Sequence, residues 1–329
     1  MGERLDRLVE RVALYLSGWH DHVSPGRQAM GESRDGAVGV RGVDSAPFAH
    51  VFGGKSAIVT GGASGIGRSL SLQLASSGAA VVVADLNEDG ARAVAQSIVG
   101  AGHRASHAAL DVTDASVVQQ LVDRVVRDHG RLDFMFNNAG ILIGGPLEDM
   151  TAAHWDRLVG VNLMGVIHGV RAAYPVMVRQ RSGHIVNTAS LAGLAPTPWT
   201  AVYSMTKHAV LGLSTSLWGE AADKGVCVSA VCPGFIDTGI FRAGTYLSSG
   251  PKTLFEVAGF KPTPPDACAR AILRGVARRK PIILVTPETW LTSFFQRLSP
   301  GLILHLARWR ARRLLNELPQ TSNQRSAVS

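Results

Sequence analysis

The sequence is short of charge and of cysteine. Charged residues fill 18% of its 329 positions against 46% for hydrophobic ones, the balance of a chain that buries a core rather than one that stays disordered. Its three cysteines, Cys227, Cys232 and Cys268, include no CxxC spacing, so neither a disulfide framework nor a zinc cage is expected. His20 and His22 make an HxH with no third ligand nearby, and are read as part of a linker; no metal is expected. No apolar run reaches the roughly eighteen residues of a membrane-spanning helix. Glu3, Arg4, Asp6, Arg7, Glu10 and Arg11 interrupt the first turns of sequence, which leaves no apolar segment of the kind a secretory leader needs. A cytoplasmic, reducing location is expected.

Charge of one sign is lacking in the body and concentrated in the tail. Residues 1–265 hold 22 Lys/Arg and 22 Asp/Glu, whereas 266–329 hold 11 and 3, which accounts for the whole net charge of +8. A nucleic-acid partner for the body has no support.

Three zones follow. Residues 1–52 open with a short amphipathic pattern (Leu5, Leu8, Val9, Val12, Leu16) and pass into a Gly-rich polar stretch that reads as a partly flexible arm. Residues 53–287 alternate short apolar runs with longer helical patterns. The runs are SAIVTG, AAVVVADL, ASHAALDV, DFMFNNA, GHIVNTAS, CVSAVCPG and PIILVTP, and they predict an α/β fold with a doubly wound, parallel, seven-stranded sheet of Rossmann type. Residues 288–329 form a basic amphipathic tail, in which Ser299-Pro300 starts a helix and Leu302, Ile303, Leu306 and Trp309 lie among Arg308, Arg310, Arg312 and Arg313.

The first run ends in TGGASGIGRS, Thr60 to Ser69. Gly61, Gly65 and Gly67 suit a tight turn that brings backbone close to a pyrophosphate at a helix N-terminus. The spacing from Gly62 to Gly67 also approaches a P-loop, but Arg68 stands where that motif has its lysine. Asp85 ends the second run, where a carboxylate accepts ribose hydroxyls and repels a 2′-phosphate. NAD is therefore expected ahead of NADP. Two alternatives stay open: Asp85 as a helix cap, and Arg68 as the partner of a 2′-phosphate.

Tyr203 and Lys207 stand one helical turn apart in VYSMTKHAV. An ammonium beside a phenol favours phenolate, so the pair reads as an acid/base tuned to exchange a proton with a hydroxyl or carbonyl. Ser190, at the end of the run HIVNTAS, sits where ligands bind in open α/β sheets.

Together these residues make the chain resemble the short-chain dehydrogenase/reductase family over about residues 53–287. The matching elements are Thr60-Gly61 with Gly65-Ile66-Gly67, Asp111-Val112, Asn137 to Gly140, Asn162, Ser190 with Tyr203 and Lys207, and Pro233-Gly234 followed by Thr238. The resemblance implies a catalytic tetrad of Asn162, Ser190, Tyr203 and Lys207. Tyr203 is its acid/base and Ser190 polarises the reacting oxygen; Lys207 lowers the tyrosine pKa and holds ribose, and Asn162 fixes a water in a proton relay. It further implies cofactor contacts from the glycine turn, Ser64 included, from Asp111 and Val112 beside the adenine, from Asn138, Ala139 and Gly140, and from Thr238. A homodimer or homotetramer is implied as well.

Substrate selection is expected from Leu191, Leu194, Pro196 and Trp199 and from the loop after Gly234, with Phe235, Phe241, Tyr246, Leu254, Phe255 and Phe260. They suggest an apolar pocket for a small lipophilic alcohol or carbonyl compound under a lid. The tail either rests on anionic lipid as a peripheral membrane contact or packs on its own or a partner subunit. Two other readings remain: a catalytically silent dinucleotide-binding sensor, and a membrane-surface interaction protein.

Overall fold

The structure, a computed structural model, describes residues 48–242, 244–247 and 262–317. The N-terminal amphipathic pattern, the HxH, Leu254, Phe255, Phe260 and the last residues of the tail lie outside the described residues.

A short helix α1 (Ala49–Phe52) precedes β1 (Ser56–Thr60), and its Phe52 is fully buried on Phe134, with ring centroids 5.0 Å apart. There follow α2 (Gly65–Ser76), β2 (Ala80–Asp85), α3 (Glu88–Gly100), β3 (Arg104–Ala109), α4 (Ala115–His129) and β4 (Phe134–Asn137). After the two-residue β5 (Ile143–Gly144), α5 (Ala152–Val159) runs through a π-helical turn at Gly160–Met164 into α6 (Gly165–Gln180). Then come β6 (Gly183–Thr188), α7 (Ala201–Ala221), β7 (Val226–Cys232), α8 (Gly239–Arg242), β8 (Thr245–Tyr246), α9 (Pro265–Ala277), β9 (Ile282–Leu284), α10 (Pro287–Leu298) and α11 (Pro300–Glu317).

The seven apolar runs form one parallel sheet in the order β3-β2-β1-β4-β6-β7-β9. Successive side chains leave a strand on opposite faces, and both faces are covered. Ile58, Met135 and Ile185 enter one core layer with Leu121, Val125, Val170 and Val210 of α4, α6 and α7. Their neighbours Val59, Phe136 and Val186 enter the other with Leu70, Leu74, Ile98, Ile272 and Leu273 of α2, α3 and α9. Each fully buried Leu, Ile or Val of this kind contributes about 1.5–3 kcal/mol. β5 and β8 pair separately, Ile143 with Thr245 and Gly144 with Tyr246.

One helical stretch, Ala152–Gln180, has the length and composition to cross a membrane, which the sequence reading did not expect. Of its apolar 18-residue window, 56% is buried inside the molecule, with Leu158, Val166, Ala173 and Met177 at 1% exposure or less. Its apolarity is that of a core helix.

Candidate active site

Between β1 and β4 the strand order reverses, since β2 and β3 extend the sheet one way and β6, β7 and β9 the other. A crevice forms at the carboxyl ends of strands beside such a point. Thr60 Oγ1 accepts the N–H groups of Asn138 and Ala139 at 2.9 and 3.0 Å, and Asn138 Nδ2 donates to the Thr60 carbonyl at 3.0 Å. Asn138 thus staples the ends of the two strands.

The glycine turn fills the crevice from one side with no space for side chains. Gly61, at φ 66°, would bring a Cβ to 2.9 Å from Ala139 Cα, and a Cβ at Gly67 would strike the Gly61 carbonyl and come to 2.7 Å from Asn138 Nδ2. Gly65, at φ 50°, lies against the Thr238 side chain, 3.0 Å from where its Cβ would be. The first helical bond of α2 runs from Arg68 N to Ser64 O, so the amides of Gly65, Ile66 and Gly67 precede it and point their donors toward the crevice mouth. Ser64 is exposed, and its side chain makes no capping bond to α2.

Asp85, at the end of β2, accepts Ala63 N at 3.0 Å on Oδ2 and Asn87 N at 2.9 Å on Oδ1. Asn87, not Asp85, caps α3. The carboxylate therefore fastens the glycine turn and still has lone pairs for ribose hydroxyls. Asp111 accepts Thr113 N at 2.9 Å and Thr113 Oγ1 at 2.7 Å, and the Val112 carbonyl pairs with His168 Nδ1 at 2.9 Å. A turn of closely approached backbone, a helix N-terminus and a carboxylate one strand away fit a dinucleotide's pyrophosphate and ribose.

On the other side stand the four residues of the expected tetrad. Lys207 is 3% exposed, its Nζ donates to the Thr188 carbonyl at 2.8 Å, and it lies 5.7 Å from the centre of the Tyr203 ring. Asn162, fully buried in the π-helical turn, uses both ends of its amide on Ile141: Oδ1 accepts Ile141 N at 2.8 Å and Nδ2 donates to Ile141 O at 3.0 Å. A Cβ at Gly140 would lie 3.2 Å from Asn162 Oδ1 and 3.6 Å from Lys207 Nζ, so glycine leaves the space between them open. Ser190 Oγ accepts Ala192 N at 3.1 Å, and its hydroxyl lines the same cleft as the Tyr203 phenol.

The electrostatics correct one expectation. Burial raises the Tyr203 pKa above its ordinary value, and the nearby Ser190 hydroxyl opposes this only in part. Lys207 is itself pulled down to about 8 by burial. Its neighbour Cys232, pushed up to about 12 by burial, is a neutral thiol that gives the ammonium no counter-charge. At neutral pH the lysine is charged and the phenol keeps its proton, because desolvation is the largest effect on the phenol.

Beside Ser190 and Tyr203 opens a cleft of about 520 Å³, mouth included, walled by Leu142, Leu191, Phe235 and Ile240 with Thr197 and Thr200. Leu191 and Phe235 were expected there. Leu194, Pro196 and Trp199 are not among the lining residues. Trp199 turns the chain instead, at φ 65°, and its carbonyl accepts Gly145 N at 2.7 Å. Sequence reasoning missed Leu142, whose only signal was its position two residues after Gly140, and covered Ile240 only as part of the loop after Gly234. It also missed Glu288, whose Oε1 accepts Phe235 N at 3.3 Å and abuts Gly234. Pro233 fixes this wall from the other side by accepting Leu191 N at 2.7 Å.

The profile of short chain dehydrogenases matches residues 55–245. A relative from Mycobacterium tuberculosis, described as a probable oxidoreductase EphD, is 35% identical over 269 residues, 79% of this chain and 45% of that protein; the chain thus spans about half its length. The crystal structure of a short chain dehydrogenase/reductase from Burkholderia phymatum in complex with NAD is 33% identical with a TM-score of 0.71, covering 76% of this chain and 95% of that one. A metagenomic short-chain oxidoreductase in complex with NADP is 33% identical with a TM-score of 0.60, over 71% and 98%. This chain belongs to the short-chain dehydrogenase family.

Proposed function

We propose that the protein is an oxidoreductase that interconverts a secondary alcohol and its ketone, or an aldehyde, on a lipophilic molecule, with NAD preferred to NADP. The observation that carries the reading is the meeting of two hydroxyls, Ser190 and Tyr203, at the wall of an otherwise apolar cleft. A nicotinamide dinucleotide, when bound, supplies the acceptor or donor of hydride.

The residues do the rest. Leu142, Leu191, Phe235 and Ile240 hold an apolar substrate body and exclude water. Ser190 Oγ donates a hydrogen bond to the reacting oxygen and polarises it. Tyr203, kept protonated by burial, gives its proton to that oxygen in reduction, and in the reverse step its phenolate takes the proton of the alcohol. Lys207 offers ammonium protons to ribose hydroxyls across the opening left by Gly140. Asn162 is a positioning residue that holds Ile141, and through it the Leu142 wall, against the π-helical turn. Asp85 accepts ribose hydroxyls and disfavours a 2′-phosphate. Trp155 on α5 and Met205 and Trp218 on α7 are large apolar side chains left exposed, in keeping with a homodimer or homotetramer.

The test follows nicotinamide absorbance with NAD and separately NADP against secondary alcohols, steroids, retinoids and long-chain alcohols, beside Ser190→Ala. Turnover with one of these, reduced about 100-fold or more in the variant, is expected. Tight cofactor binding with no turnover on any of them would instead favour the silent sensor.

A further inference from the structure

Helix α10 is built inside out. Its buried residues are polar, Glu288 at 9% exposure, Thr289 at 0% and Ser293 at 9%, while Trp290, Phe294 and Leu298 are 58%, 50% and 69% exposed. The polar side is inward because the site requires it: Glu288 accepts Phe235 N, and Thr289 Oγ1 accepts Thr286 N at 3.2 Å and donates to Thr286 O at 2.6 Å. Residues at i, i+4 and i+8 share one helix face, so the exposed three form a continuous apolar stripe in water. Trp290 and Phe294 stack with centroids 6.0 Å apart and planes 7° from parallel, which makes the stripe flat.

Exposed cations share its two helices. Arg297 is exposed on α10, and the outward face of α11, which packs on α10, presents Leu304, His305, Arg308 and Arg312. None of these arginines has an ion pair among the described residues, and Glu288, the acidic side chain described on the two helices, is buried. Two copies joined through this face by a two-fold axis would set the arginines of one against those of the other. Exposed aromatic and aliphatic side chains on helices that carry exposed arginines without ion pairs among the described residues instead match the boundary of an anionic bilayer, rings at the headgroup level and guanidinium groups on phosphates.

We propose that the outward face of α10 and α11, centred on Trp290, Phe294 and Leu298, docks the protein on anionic lipid. Docking needs neither cofactor nor turnover, so it stands or falls apart from the dehydrogenase reading. If both hold, Glu288 ties the docking helix to the pocket wall at Phe235 and brings the mouth of the cleft close to where a lipophilic substrate dissolves.

The experiment is co-sedimentation of the full chain with vesicles of phosphatidylcholine alone and of phosphatidylcholine with phosphatidylglycerol, alongside sedimentation velocity without lipid. The protein is expected to pellet with the anionic vesicles and much less with the neutral ones. W290S/F294S should weaken that partition at least about tenfold, and R308Q/R312Q, which alters only exposed side chains, about tenfold with loss of the anionic preference. The proposal is overturned if the wild-type chain ignores anionic vesicles or if R308Q/R312Q partitions unchanged. It is equally overturned if W290S/F294S splits an oligomer into smaller species, which would make the face an interface between copies.

Discussion

At the amino ends of β1, β4 and β6, buried polar groups spend their capacity on one another; beyond the carboxyl end of β6 the hydroxyls of Ser190 and Tyr203 face a cleft instead. Asp133, 4% exposed, accepts Ser56 N at 3.0 Å on Oδ2 and pairs with Arg131 at 2.7 Å and Lys55 at 3.5 Å on Oδ1. His184 Nε2 meets Ser229 Oγ at 2.8 Å, and Ser229 donates to the Lys280 carbonyl at 2.6 Å. Ser229 has one hydrogen to give, so Nε2 is the donor, and burial keeps the ring neutral. At the other end Lys207 is as deeply set, whereas Ser190 and Tyr203 are half-buried and line an open cleft with their hydroxyls. Both ends perturb pKa values by burial, so perturbation alone does not mark a site. Spare hydrogen-bonding capacity beside a cavity does.

If the amino-end network is structural, its loss should cost stability without touching chemistry. Asp133→Ala strands the buried Ser56 N–H and should lower unfolding free energy by about 2–3 kcal/mol, read from the urea midpoint, while kcat per folded molecule stays unchanged. A fall in kcat at constant stability would erase the distinction between the two ends.

His184 sharpens the contrast through pH. Burial, with a smaller effect of the Arg279 charge, lowers its pKa to about 3, whereas an unfolded histidine titrates near 6.5. Below about pH 6.5 the unfolded chain takes up a proton that the folded one refuses, so stability should fall by up to about 1.4 kcal/mol per pH unit. Urea midpoints between about pH 6.5 and 5 should show this slope, and His184→Gln should flatten it. An equal slope in the variant would assign the effect elsewhere.

The smallest expected effect lies at Asp85. Asp85→Asn keeps an acceptor for Ala63 N but removes the charge, and the ratio of kcat/KM for NAD to that for NADP should drop about tenfold, some 1.4 kcal/mol. An unmoved ratio would leave the carboxylate only its role in fastening the turn.

Much of this was legible in the sequence because buried parallel strands read as unbroken apolar runs, and all seven runs became strands. β3 is the least apolar, as suits an edge. β5 and β8 have two residues each, too few to show a period. The tetrad was visible from spacing, but the direction of the Tyr203 shift was not, since desolvation depends on residues brought from α7, β6 and the turn after β4. Nor was the face of α10: periodicity identifies the stripe Trp290, Phe294 and Leu298 but assigns an apolar stripe to the interior, and only Glu288's bond to Phe235 reverses it.

The central claim is that the carboxyl-end cluster does chemistry through the Tyr203 phenol. Its most direct test is Tyr203→Phe, measured for turnover, for cofactor affinity by fluorescence titration, and for Tm. The account predicts that kcat falls about 1,000-fold while cofactor affinity and Tm stay near wild type. Turnover within a few-fold of wild type, in a folded variant that binds cofactor, would contradict it.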